Sequence, residues 1–250
     1  MMRIDIMTLF PEMCETVLGE SIIGRARRAG KVELYCTNIR DYAGNKHNKV
    51  DDMPYGGGMG MVMAAEPIYS CFEALCSQGE RPHLIYMSPK GKTLTQKRVK
   101  ELSALPRIAL LCGHYEGVDQ RVIDCWEMEE VSIGDYILTG GELPAMVLVD
   151  SVARLIPGVL SGEDSAMEES VYSGLLEYPQ YTQPREYEDI PVPEILLSGH
   201  HQNIDLWRFE KSLELTRKVR PDMFENYCRE RTQELDKAEK KILQKVTDEK

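Results

Sequence analysis

The chain opens on an alternation of apolar and charged positions. From Arg3 to Phe10 (RIDIMTLF), Ile4 and Ile6 alternate with charge before an apolar run, which predicts a first strand, and Pro11-Glu12 is suited to open a helix behind it. Glu20 to Gly30 (ESIIGRARRAG) sets Ile22, Ile23 and Ala26 apart from three arginines at helical spacing and stops at glycine; Val32–Cys36 then reads as a second strand. The same rhythm continues with a helix at 67–79, a strand at 83–87 (HLIYM) running into Ser-Pro-Lys-Gly, and a basic helix at 95–105. A strand at 108–112 (IALLC), a helix at 118–125, a brief strand at 130–133 and a long apolar helix at 142–155 follow. Strands alternating with helical patterns predict an α/β fold with a mostly parallel sheet and helices on both faces.

After Pro157-Gly158 the texture changes. Residues 161–173 hold Gly, Ser, Asp and Glu in place of apolar periodicity and read as a flexible acidic linker. Prolines at 179, 184, 191 and 193 crowd the next stretch, and 206–245 reads as two or three helices broken at Pro221. The expected organisation is an α/β domain at 1–160, the linker at 161–173, and a small helical domain at 174–250.

Composition narrows the classes. With 250 residues, 42% hydrophobic and 28% charged, the chain can bury a sizeable core and is neither disordered nor fibrous. No run approaches a membrane span, and Arg3 and Asp5 interrupt any signal-peptide stretch, so a cytoplasmic protein with no membrane partner is expected. Seven cysteines without a C-x-x-C pair or zinc spacing read as reduced thiols. His200-His201 has no evident third ligand, so no metal residues are assigned.

The net charge is −11, and residues 161–200 carry nine acidic side chains against one basic. That balance argues against a general nucleic-acid coat protein, which needs a basic face. It leaves room for an enzyme that grips one RNA through local clusters: Arg25, Arg27 and Arg28; Lys46, His47 and Lys49; Arg208, Lys211, Arg217, Lys218 and Arg220.

Three predicted strands end in turn-rich loops: 88–91 (SPKG), 113–117 (GHYEG) and 133–141 (IGDYILTGG). Ligands of open α/β sheets bind at the carboxyl ends of strands, so these loops together would make one pocket. The run 56–61 (GGGMGM) lacks the Lys-Ser/Thr of a phosphate-binding P-loop, and no G-x-G-x-x-G follows the first strand. A nucleotide hydrolase using His114 and Glu116 would need a phosphate cradle or metal ligands that the sequence does not offer.

Six longer strings carry a resemblance: KHNKVDDMPYGGGMGMVM (46–63), YMSPKGKTLTQ (86–96), LLCGHYEGVDQRV (110–122), EVSIGDYILTGGELPAMVLVDSVARLIPGVL (130–160), GLLEYPQYTQP (174–184) and LSGHHQNIDLWR (197–208). The chain closely resembles the bacterial tRNA (guanine-N1)-methyltransferases, TrmD-type members of the SPOUT superfamily. The resemblance implies a trefoil knot through the three loops, an obligate homodimer, S-adenosylmethionine as methyl donor, and Mg2+ assisting. It implies tRNA, not DNA, as partner, methylated at N1 of the guanine at position 37, next to the anticodon.

Carried over residue by residue, the donor pocket would be Tyr86, Met87, Ser88, Pro89 and Gly91; Gly113, Tyr115, Glu116 and Gly117; and Ile133, Gly134, Tyr136, Leu138, Gly140, Gly141 and Pro144. Ile133, Leu138 and Pro144 suit the faces of an adenine, and Glu116 or Asp135 suits the cationic part of the donor. Guanine N1 carries a proton that must leave as the nitrogen attacks, while charge spreads toward O6. The resemblance assigns the O6 side to Arg154 and the base to an acid in the linker, here Glu169 where aspartate is usual. The longer side chain keeps Glu168 and Asp164 as alternatives.

Overall fold

The computed structural model describes residues 1–160 and 173–248. The chain divides into two compact units, Met1–Glu163 and Asp164–Lys250. The linker expected at 161–173 lies, but for Ser173, outside the described residues.

The first unit runs β1 (Met2–Thr8), α1 (Pro11–Leu18), α2 (Ser21–Arg28), β2 (Val32–Asn38), β3 (Asp51–Asp52), β4 (Val62–Met63), α3 (Ala65–Cys76) and β5 (His83–Thr93). It continues with α4 (Gln96–Ser103), β6 (Arg107–Cys112), α5 (Gln120–Cys125), β7 (Glu129–Ser132) and α6 (Glu142–Ala153). Five strands form one sheet in the order β2-β1-β6-β5-β7, every neighbouring pair parallel. β3 and β4 form a separate antiparallel ribbon.

Side chains alternate across the sheet, so each central strand feeds two cores. Ile85, Met87, Ile108, Leu110 and Cys112 pack with α1, α2, α4 and α6 on one face. Leu84, Tyr86, Ala109 and Leu111 pack with α3 and α5 on the other, around Ile68, Phe72 and Leu75. The alternation that began with charge at Asp5 therefore does not put that residue in water. Asp5 is fully buried, and Arg107 Nε donates to its Oδ2 at 2.8 Å while Arg3 Nη2 donates to Oδ1 at 2.7 Å. All seven cysteines are free thiols, with Cys14, Cys71 and Cys112 buried.

The second unit holds a short hairpin, β8 (Glu186–Tyr187) and β9 (Ile190–Pro191), then α7 (Glu194–Leu197), α8 (His201–Val219), α9 (Pro221–Arg231) and α10 (Lys237–Asp248). The helical break at Pro221 falls where the sequence places it, with proline at the first turn of α9. Its core is small: Leu175, Leu213, Phe224, Leu243 and Val246.

Candidate active site

The loops after β6 and β7, together with a bulge in β5, meet at the carboxyl edge of the sheet and close around a cavity of about 360 Å3. The bulge differs from the sequence reading, which ends the strand at Met87. β5 pairs with β7 twice, Met87 opposite Val131 and, after the bulge, Lys92 opposite the same Val131. The intervening Ser88, Pro89 and Lys90 are thrown out of the ladder and line the cavity. Gly91 does not line it. A Cβ there would stand 2.3 Å from the carbonyl carbon of Glu130, so this glycine lets the chain return against β7.

The second loop is held from outside the sheet by the end of the glycine-rich run. Glu116 N donates to Met61 O at 3.0 Å, Met63 N to Gly117 O at 2.9 Å, and Asp119 N to Met63 O at 3.0 Å. These bonds bring Val62 into the wall and place Gly60 against the Glu116 side chain. The third loop is closed on itself by Ser132, whose hydroxyl donates to Gly134 O and accepts from Gly134 N, both at 3.1 Å.

Of the expected pocket residues, Tyr86, Met87, Ser88, Pro89, Gly113, Tyr115, Glu116, Gly117, Ile133, Gly134, Tyr136, Leu138, Gly140, Gly141 and Pro144 all line this cavity. Asp135 does not, which leaves Glu116 as the acidic side chain of the wall. Sequence reasoning missed Val62, Val118, Gln120, Ile123, Val131 and Ser132, and left Lys90, His114, Ile137 and Thr139 out of the pocket although it named their loops. The first two arrive through an isolated parallel bridge between Met63 and Val118, a long-range pairing with no local signal. Tyr86 is nearly buried, and burial, followed by the nearby Glu130 carboxylate, pushes its phenol above the ordinary value, so it stays a neutral hydrogen-bonding group.

Of the two expected catalytic residues, only Arg154 is among the described residues, and it does not line the cavity. Arg154 caps the carboxyl end of α6, half-buried, while Pro144 at the other end lines the cavity. From Pro144 to Arg154 is about 15 Å along the axis at about 1.5 Å per residue. Glu169, with its alternatives Glu168 and Asp164, lies outside the described residues.

The cavity suits a sulfonium nucleoside. Its volume is within the range of about 300–1,000 Å3 usual for small-ligand pockets. Ile133, Leu138 and Pro144 supply apolar surface for a purine, the glycines at 113, 117, 134, 140 and 141 let a ligand approach the loop backbone closely, and Glu116 offers a carboxylate to a cation. Among the described residues no group of three or more His, Cys, Asp or Glu side chains comes together as a metal cage. No helix among them is long and apolar enough to cross a membrane.

A parallel α/β sheet with its ligand-sized cavity at the carboxyl edge, walled by strand-end loops instead of a glycine-rich phosphate turn, defines an α/β protein with a small-ligand site outside the usual dinucleotide class. The profile of the family described as "tRNA (Guanine-1)-methyltransferase TrmD" matches residues 2–226, and the chain belongs to that family. It is 59% identical to the tRNA (guanine-N(1)-)-methyltransferase of Ruminiclostridium cellulolyticum over 89% of this chain and 96% of that protein. It is 53% identical to the one from Syntrophomonas wolfei over 98% of this chain and 97% of that protein. Its fold matches the crystal structure of tRNA (m1G37) methyltransferase from Aquifex aeolicus with a TM-score of 0.74 and 41% identity, covering 92% of this chain and 97% of that one.

Proposed function

We propose that the chain transfers the methyl group of S-adenosylmethionine to N1 of the guanine at position 37, next to the anticodon of tRNA, and that it acts in the cytoplasm as a homodimer. The observation that carries this reading is the single cavity formed by three strand-end segments, with Glu116 as its acidic wall. The donor supplies a methyl group on a positively charged sulfur, open to attack by a nitrogen. Ile133, Leu138 and Pro144 hold the adenine, the backbone of the three segments reads its edge, and the Glu116 carboxylate faces the cationic end. Glu169 takes the proton from guanine N1, and the Arg154 guanidinium stabilises the charge that gathers on O6.

The separation along α6 gives the dimer a role. Leu143 and Val147, 49% and 46% exposed, share one face of α6 with Asp150 and Arg154 at helical spacing. The neighbouring α1 adds Met13 and Val17, with Phe10 just before it, all well exposed. An apolar face spread over two helices favours a second copy of the chain. With α6 antiparallel to its copy about a two-fold axis, Arg154 of one chain comes to the cavity end of the other. In this reading each active site takes its donor loops from one protomer and its arginine from the partner.

Calorimetry with S-adenosylmethionine tests the donor, and micromolar binding is expected. Single-turnover methylation at saturating donor then compares Glu169→Gln, Glu168→Gln and Asp164→Asn. Loss of chemistry in Glu169→Gln alone supports the assignment, and wild-type chemistry in that variant with loss in a neighbour moves the base to the neighbour. Arg154→Ala is expected to lose rate while donor affinity is nearly unchanged.

A further inference from the structure

One buried carboxylate outside the cavity lining joins three separate pieces of its frame. Glu142 is the first residue of α6 and is 2% exposed. The hydroxyl of Thr8, at the end of β1, donates to its Oε1 at 2.5 Å. His114, in the loop after β6, places Nε2 at 2.9 Å from Oε1 and 2.8 Å from Oε2. Both carboxylate oxygens are acceptors, so Nε2 carries the proton. The ring of His114 is also packed by Phe10, centroids 5.0 Å apart, and the Phe10 amide donates to the Thr8 hydroxyl at 2.9 Å. A Cβ at Gly140 would stand 2.4 Å from Cε1 of His114 and 2.6 Å from Oε2 of Glu142, so the third loop folds directly over the pair.

A carboxylate at this depth needs partners for its oxygens, and an apolar residue of similar size would hold a core as well. What hydrogen bonds add is direction. Bonds of fixed length and angle define the separation of the segments they join, whereas apolar contacts let them slide. Two of the segments joined here wall the cavity: His114 is itself in the lining, and Gly140 and Gly141, also in it, immediately precede Glu142.

We propose that Glu142 is a positioning residue for the methyl donor: acting through His114, it sets the second loop against the third and thereby the affinity of the cavity. The inference rests on reading that cavity as the donor site. Glu142→Gln keeps the shape but replaces one acceptor oxygen by an amide donor, so His114 Nε2 no longer faces two acceptors. His114→Ala removes the same link from the other side. Each is expected to raise both the donor Kd and the donor KM about tenfold, the scale of one lost bond to a charged group, with kcat within about threefold. His114→Arg is expected to restore affinity, because a guanidinium fork can donate to both carboxylate oxygens.

The experiment is calorimetry of the full chain with S-adenosylmethionine and with S-adenosylhomocysteine, beside steady-state KM and kcat and a thermal melt of each variant. A purely structural pair would lower the melting temperature, leave the donor Kd unchanged, and gain nothing specific from arginine. If the wild-type chain binds neither compound, the donor reading falls and this inference with it. If the wild type binds and folded Glu142→Gln and His114→Ala bind equally well, the positioning role is overturned while the donor reading stands. Should Glu142→Gln not fold, the comparison of His114→Ala with His114→Arg decides: equal affinities overturn the role, and restoration by arginine supports it.

Discussion

The amide of Gly141 donates to the carbonyl of Gly113 across 2.9 Å, tying the third loop to the second where the latter leaves the sheet. A Cβ on Gly141 would stand 2.6 Å from Cα of Cys112 and 2.9 Å from the Gly113 nitrogen. Both are main-chain atoms, which cannot rotate aside as a flexible side chain can. This contact fixes how far the loops stand apart.

Gly141→Ala is therefore expected to spread the two loops and raise the donor Kd more than about tenfold, since displacement by about 1 Å costs a site on that order. The strain of overpacking should also lower stability by about 1–3 kcal/mol. Calorimetry and urea denaturation of the same preparation check both. An alanine variant with wild-type donor affinity would show that the separation of these loops is not what the cavity reads.

The dimer reading makes a prediction that single variants cannot. Val147→Asp puts a charge on the exposed face of α6 and is expected to shift the chain toward monomer in sedimentation, with loss of methyl transfer. Mixing Arg154→Ala subunits with Gly141→Ala subunits gives hybrids in which one site combines an intact cavity with the partner's arginine. Activity above that of either parent is expected after subunit exchange. Mixed samples no more active than the parents would place Arg154 at its own chain's cavity or outside the reaction.

Phosphate contacts should make kcat/KM for tRNA fall steeply as salt rises, through counterion release. Several candidate cations already have a carboxylate beside them: Lys49 with Asp52 at 3.0 Å, Lys211 with Glu214 at 2.6 Å, and Arg220 with Asp222 at 2.6 Å. RNA must compete with those partners, so Asp222→Asn is expected to tighten tRNA binding modestly and leave the donor Kd unchanged. A flat salt response would count against tRNA as the substrate.

The far end of the sheet predicts a pH dependence of stability. Burial tends to raise the Glu129 carboxyl, but hydrogen bonds from Arg98 and His83 outweigh it and hold the group below its ordinary value. A carboxylate depressed in the folded state adds stability above its unfolded pKa of about 4.3, and that contribution disappears as pH falls through the folded value. Glu129→Gln should thus be less stable than wild type at neutral pH, and the difference should shrink below about pH 4 as the unfolded-state carboxyl also protonates. Urea titrations at several pH values measure it; a difference independent of pH would mean the carboxylate's charge is not what Arg98 and His83 recognise.

Much of the frame was legible because burial is periodic. Ile4 and Ile6, the run at 108–112 and the arginine-studded helix at 21–28 declare their elements through spacing alone, and Pro221 declares a break because it has no amide to give. The strand-end loops were legible for a related reason: turn residues cluster where a strand must stop, and in a parallel sheet those stops share one edge. The β5 bulge was not, since Ser-Pro-Lys-Gly looks like the end of a strand until Lys92 and Thr93 are seen to pair again with β7. Asp5 was read as a polar alternate, and only the helix layer over that face makes it a buried partner of Arg107.

What the sequence determined by itself was the order of the elements and the position of the strand-end loops, because these depend on contacts between near neighbours. The tertiary structure alone decided that Glu142 would lie between Thr8 and His114, that Val62 would join the wall, and that Arg154 would stand a helix length from the cavity. Those relations join residues far apart in the chain, and their geometry is set by how α6 and the strands pack, which no local pattern encodes.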